Sequence, residues 1–428
     1  MHSSLVNRSL YGIAWLLMAI QFVNIVTFSV NVPAGDEWEP LRSTIFQSPL
    51  SLDWLFALHN EHRIPLTKLI TWMMFKFFDW NVSLQIALNY VLYVLLASTS
   101  VLSLQRFTGA PCGIILCLFA STIPHENHFW GFQSQFHLFL LFFVLSTVFL
   151  LRTDKWRWLS PAFAVLSAYS FSSGVICSWA VGGASVLMAL QSRRNVREFL
   201  FFTLTALSIF AASLLWFKGF QKNPGHPAFV WPWMWPFWEH FFNTLALGFG
   251  YTEQNVLPGA IIFLMAIPLT LHRFLSILRR PELQRQWVAS LVLLLGITAC
   301  LGAISLARAS LGLKSSRYGE IGFIFMLPFW VLLWGFVKEI KFGSIQKTVV
   351  ALGLGLVLAL PFLDDFNSYR IYKQIGLHRQ AGLSCMQSYY AGGGDGFCPT
   401  LYPASLKEAF DQAKALHLSF VPKDLGEG

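Results

Sequence analysis

Charge is scarce in this chain. Only 12% of its 428 residues are Asp, Glu, Lys or Arg, 55% are hydrophobic, and the mean hydropathy is +0.55. A soluble domain of this size carries about a quarter charged residues, so a water-soluble globular fold is excluded. Cysteine is sparse as well: there are six, with no CxxC pair and no zinc-ligand spacing. No G-x-G-x-x-G and no P-loop is present, which removes a nucleotide from the expected ligands. Short alternating segments of the kind that build membrane β-barrels are missing. No internal repeat is visible, which counts against an inverted-repeat transporter.

What the chain does have is long apolar runs. About eleven of them approach or reach the roughly 20 residues that cross a hydrocarbon layer, near 10–32, 83–105, 107–123, 132–151, 158–171, 174–191, 198–217, 257–277, 286–306, 320–337 and 347–363. The third and fifth are short. The expected fold class is therefore all-α and polytopic, with a transmembrane domain over 1–363 and a small tail over 364–428. Val32-Pro33-Ala34 resembles a signal-peptidase site. The first run is nevertheless read as an uncleaved span, because about 20 apolar residues exceed the roughly 7–15 of a signal core.

With the N-terminus in the cytoplasm, the inside loops hold half of the 30 basic residues but few acids, Asp154, Glu198, Glu282 and Glu339. That asymmetry obeys the positive-inside rule and sets an extracytoplasmic C-terminus. The net charge of +9 then reflects topology and contact with anionic lipid, not nucleic-acid binding. Cys112, Cys117, Cys177 and Cys300 fall in spans as packing residues. Cys385 and Cys398 fall in the outside tail, either as a disulfide or as two free thiols.

The outside segments carry the polar side chains. The first, 33–82, contains GDEWEP and HNEHR and closes on LITWMMFKFFDW, read as an interfacial amphipathic helix. The second, 124–135, contains PHENHFWGFQSQ. The third, 218–256, is rich in tryptophan, and its prolines forbid a regular helix through 224–236. The fourth, 307–320, is RASLGLKSSRYGE. The tail has a glycine-rich stretch at 392–396 and a predicted helix at 404–417 opened by Ser405.

Charged groups at membrane depth are costly and mark sites. Asp36 and Glu37 follow the first span directly. They either mark the water boundary or serve as a base. His59, Glu61, His62 and Arg63 come later in the same loop; His125, Glu126 and His128 follow the third span; Arg308, Lys314 and Arg317 sit between the ninth and tenth. His59/His62 and His125/His128 would each share a helix face at i, i+3, but neither pair has a third ligand nearby, and no metal or other cofactor is expected. Carboxylates able to take a proton and cations able to hold a phosphate are thus assigned to one face. No Asp or Glu is placed deep in any span, which counts against the alternative, a multi-span transporter or lipid flippase.

At this point the sequence resembles the GT-C superfamily of membrane glycosyltransferases. Asp36-Glu37 at the start of the first outside loop carries the resemblance, with the amphipathic stretch after it and the many spans. HNEHRIPLTKLI (59–70), FWGFQSQF (129–136) and SSRYGE (315–320) look like segments of uncharacterised bacterial proteins of this type. The resemblance covers most of 1–363. It implies a polyprenyl-phosphate-linked sugar donor and a glycan, lipid or protein acceptor at the outer face of a bacterial inner membrane. It also implies an inverting displacement with Asp36 as base and Glu37 as helper. By analogy of position, Arg308 and Arg317 are expected to hold the phosphate, with His62, Arg63 and His128 as further site residues.

Overall fold

The computed structural model describes residues 2–42, 44–47, 49–223, 225, 227–250, 254–279, 285–312, 315–339 and 368–422. The run expected to span at 347–363, like Lys314, lies outside them. The described elements are α1 (His2–Phe28), α2 (Leu52–Phe56), α3 (Pro65–Phe78), α4 (Val82–Thr108), α5 (Gly113–Phe119), α6 (His125–His128), α7 (Ser134–Leu150), α8 (Leu159–Ala168), α9 (Ser172–Gln191), α10 (Val196–Phe217), α11 (Trp235–Leu247), α12 (Val256–Arg279), α13 (Arg285–Arg308), α14 (Gly319–Glu339), α15 (Ser368–Tyr390) and α16 (Lys407–Ala415). Among the described residues the one β-feature is an isolated bridge, His59 to His62.

Among the described residues eight helices are long and apolar enough to cross a membrane, and this is an integral membrane protein. They differ in how much of themselves they bury. The windows in α7 and α14 are 83% and 78% buried, those in α1 and α12 only 22%. α7 reads FHLFLLFFVL on every side, as a helix enclosed by others must, and it forms the centre. α1 and α12 leave apolar faces such as Leu16, Val23, Leu264 and Leu271 open at the periphery, where lipid lies.

The third and fifth runs differ from a simple span. α5 has 7 residues and α8 has 10, about 10 and 15 Å of helix. The chain still returns across the bundle in both. The Cys112 N–H donates to Gln105 near the end of α4, while Asn89 near its start donates to the carbonyls of Asn127 and Trp130. Segment 112–130 therefore runs antiparallel to α4. Where α5 stops, buried side chains replace the helical donors: Tyr93 O–H serves the Phe119 carbonyl and Gln21 Nε2 that of Ala120. Irregular backbone at this depth is tolerated only when it is enclosed in protein and its polar groups are met. α8 packs on α7 through small residues, with Ser146 and Ser160 each donating to the other's carbonyl at 2.9 Å.

Glu320, the second residue of α14, stands at the edge of its span, as the sequence reading has it. It is fully buried, 2.8 Å from His137 Nδ1 on α7, and accepts from Asn127 Nδ2 at 2.6 Å. The sequence places an acid at the edge of a run; packing against α7 takes it out of water.

The loop helices follow their local signals. α3 buries Thr67, Lys68, Thr71 and Met74 and exposes Met73, Phe77 and Phe78, so the stretch read as amphipathic is a helix with two faces. The segment before α11 is not helical, and Pro236 stands in the first turn, where no N–H is needed. In the tail, Ser405 Oγ accepts from the Lys407 N–H while Leu406 takes the cap position, so α16 is shorter than the predicted 404–417. The 23-residue helix α15 has no counterpart in the sequence reading. Its polar face disguises it among loop-like residues.

Candidate active site

After α1 ends at Phe28 the chain bends at Asn31, with the Val32 N–H donating to the Val30 carbonyl, and then turns at Gly35 into a 3-10 helix, Gly35–Arg42. Gly35 has φ +56°, and a Cβ there would lie 2.7 Å from the Trp130 ring. Trp130 cannot retreat freely, because its indole N–H donates to the Ala34 carbonyl at 3.0 Å. Gly35→Ala is expected to cost roughly 1–3 kcal/mol through left-handed strain and overpacking, read as a lowered midpoint in thermal unfolding.

This turn sends two adjacent carboxylates in different directions. Asp36 is 42% exposed and lines a cavity of about 610 Å³, within the usual size of a ligand site. Glu37 is buried and is not among the lining residues. Its Oε2 accepts from the Ala34 N–H at 2.9 Å and its Oε1 from the Phe132 N–H at 3.1 Å. Burial pushes the Glu37 carboxyl up, and the Arg379 guanidinium and neighbouring N–H groups act against that shift. Glu37 thus ties the first loop to the 131–132 turn, with the charge of Arg379 on α15 acting on it.

HNEHR forms a tight hairpin rather than a helix. His59 and His62 exchange both backbone hydrogen bonds, at 2.8 and 2.9 Å. Asn60 takes the left-handed conformation, φ 50°, which asparagine tolerates. Histidines at i, i+3 therefore do not share a helix face. His59 Nε2 lies 3.8 Å from Asp36 Oδ2, and Glu61 Oε2 lies 3.7 Å from Arg308 Nη2. One hairpin so touches both the aspartate and the arginine of the cavity wall. His62 lines the same cavity, its Nδ1 2.7 Å from Ser172 Oγ and its ring against Phe171.

Arg317 also lines the cavity, with Nε 2.9 Å from Ser315 Oγ and 3.9 Å from Glu126. Asp36, His62, Arg308 and Arg317, from three distant stretches, thus share one cavity. Arg63 and His128 do not line it. The Arg63 guanidinium donates to the carbonyls of Phe56, Trp216 and Lys218, clamping the first loop to the end of α10. His128 is buried between Tyr90 and Tyr93, with Nδ1 2.9 Å from the Tyr372 hydroxyl. Among the wall residues the sequence left unassigned, Lys222 is a loop cation and Ser172 a serine at a span junction, which carries no sequence signal of its own. Trp216, Phe217 and Ile304 from α10 and α13 extend the wall from the polar loops toward the apolar flank of the bundle.

The fold and the cavity define a polytopic helical membrane protein with a charged cleft where its loops meet the bundle. No protein-family model matches the chain, and no curated protein does. Among solved structures, the crystal structure of ArnT from Cupriavidus metallidurans bound to undecaprenyl phosphate is similar. Identity is 15% and the TM-score 0.44, over 96% of this chain and 76% of that one.

Proposed function

We propose that this protein is a membrane glycosyltransferase of the GT-C kind. It moves a sugar from a polyprenyl-phosphate donor to an acceptor hydroxyl at the extracytoplasmic face of a bacterial inner membrane. One observation carries this reading: Asp36 and the cations Arg308 and Arg317 line a single cavity that also has an apolar wall. The Asp36 carboxylate takes the acceptor proton as the acceptor oxygen bonds to the anomeric carbon. The bond from that carbon to the phosphate oxygen breaks, and the polyprenyl phosphate leaves with its electron pair. A single displacement inverts the anomeric centre. Arg308 and Arg317 meet the phosphate charge; they stand 3.7 Å from Glu61 and 3.9 Å from Glu126. Ion pairs that long are not hydrogen bonds, so an incoming anion can compete for both guanidiniums. Trp216, Phe217 and Phe220 suit the isoprenoid end.

The first test is binding of undecaprenyl phosphate, the lipid bound to ArnT, measured by native mass spectrometry of the purified chain. Arg308→Met is expected to weaken binding by about 10–100-fold, the worth of a charge-assisted hydrogen bond, and Arg308→Lys by less. Equal binding by wild type and Arg308→Met would remove Arg308 from phosphate recognition. The decisive test is transfer of a labelled sugar from a panel of undecaprenyl-phosphate hexoses and pentoses in native membranes.

A lipid flippase or transporter is the second reading, favoured by the buried Glu320–His137 pair between α14 and α7. Bidirectional movement of labelled lipid with no covalent change would put it first.

A further inference from the structure

The tail contributes no side chain to the cavity wall among the described residues, yet it grips the residues on both sides of Asp36. The Gly35 N–H donates to the Leu401 carbonyl at 2.7 Å. The charge of Arg379 on α15 acts on Glu37, and its Nη2 donates to the Phe129 carbonyl at 3.4 Å, three residues before the Phe132 N–H that Glu37 accepts from. Trp38 is fully buried, its ring edge-on to Phe410 of α16 and to Phe420, at 5.3 and 5.7 Å. Glu39 accepts from the Tyr402 hydroxyl at 2.9 Å. Contacts at Gly35, Trp38 and Glu39, with the Arg379 charge acting on Glu37, thus bracket one cavity-facing carboxylate.

The two halves of this grip are tied together. Cys385 on α15 and Cys398 form a disulfide. Cys398 O accepts from the Leu401 and Tyr402 N–H groups at 2.8 and 3.0 Å, so it organises the turn that reaches Gly35 and Glu39. Cys385 lies on the same helix as Arg379, which bonds the Phe129 carbonyl. Leu401 also packs where a Cβ on Gly382 would come within 2.3 Å, so the turn seats directly on α15. Exposed loops of this kind open readily unless many contacts oppose it, and a base displaced by an ångström loses most of its effect.

We propose that segment 368–422 is the mould for the Asp36 turn. Arg379 is a positioning residue acting through Glu37, and the Cys385–Cys398 bond holds the mould closed, so reduction loosens the turn. Asp36's catalytic task comes from the transferase reading, but the order of the turn is measured without any substrate.

The test is hydrogen–deuterium exchange of the purified full-length protein. In Arg379→Met, amide protection over 35–39 is expected to fall about tenfold or more, with α9 amides unchanged. Arg379→Lys, which keeps a cation opposite Glu37, retains more of the protection. Reducing the disulfide in the folded wild type, which needs no refolding, is expected to give the same local loss. Unchanged protection over 35–39 in Arg379→Met overturns the proposal. So does a loss that spreads equally to α9, or a reduced protein whose 398–402 turn opens while 35–39 stays protected. If transfer is never found but 35–39 loosens as described, the positioning role stands and only the transferase assignment fails.

Discussion

Asp36→Asn lowers sugar transfer by about 10²–10⁴-fold, the usual worth of a positioned general base, and leaves the melting temperature within about a degree of wild type. The second half follows from exposure. The Asp36 side chain is 42% exposed where it lines the cavity, with His59 Nε2 3.8 Å away. An exposed pair at that distance contributes little to stability. The amide is nearly isosteric but cannot accept the acceptor's proton. Transfer from a polyprenyl-phosphate sugar, measured beside thermal unfolding of the same preparation, separates the two effects. Activity within a few-fold of wild type would exclude Asp36 as the base.

Glu37→Ala does the reverse. It is expected to destabilise the fold by roughly 1–3 kcal/mol, because buried hydrogen bonds are lost and the Arg379 guanidinium loses the carboxylate whose charge acts on it. The N–H groups of Ala34 and Phe132 lose their acceptor at the same time. Unfolding in denaturant reads the loss. Adding Arg379→Met to Glu37→Ala restores part of it, because the second change removes the stranded charge; a double-mutant cycle gives the coupling. If Glu37→Ala unfolds like wild type, the tie between the first loop and the 131–132 turn contributes nothing to stability. Two neighbouring carboxylates therefore separate into one that lines the cavity and one that ties the fold, a distinction invisible in the dipeptide.

How much of this was legible depends on which forces act locally. The apolar runs, their approximate ends and the two-faced α3 follow from composition and periodicity, because bilayer thickness and helical pitch are the same for every chain. The irregular stretch before α11 follows likewise from its prolines, whereas α11 itself, inside a segment read only as an outside loop, does not. Asp36, His62, Arg308 and Arg317 could be picked out because charge is conspicuous in so apolar a sequence. The same rule also picked out Arg63 and His128. A guanidinium that serves three carbonyls, and an imidazole enclosed by tyrosines, look identical in sequence to ones that face a ligand.

Sequence alone thus determined that the chain is helical and membrane-spanning, and which of its polar residues share a face, since these depend on hydrophobicity and charge summed over segments. Only the tertiary structure decided the rest. It turned Asp36 toward the cavity and Glu37 away from it, made HNEHR a hairpin, completed a crossing with irregular backbone held by Tyr93 and Gln21, and wrapped residues 368–422 around the first loop. Each of those outcomes depends on contacts between residues far apart in the chain. Such contacts are set by three-dimensional packing and by the need to satisfy buried polar groups, and neither leaves a local signature.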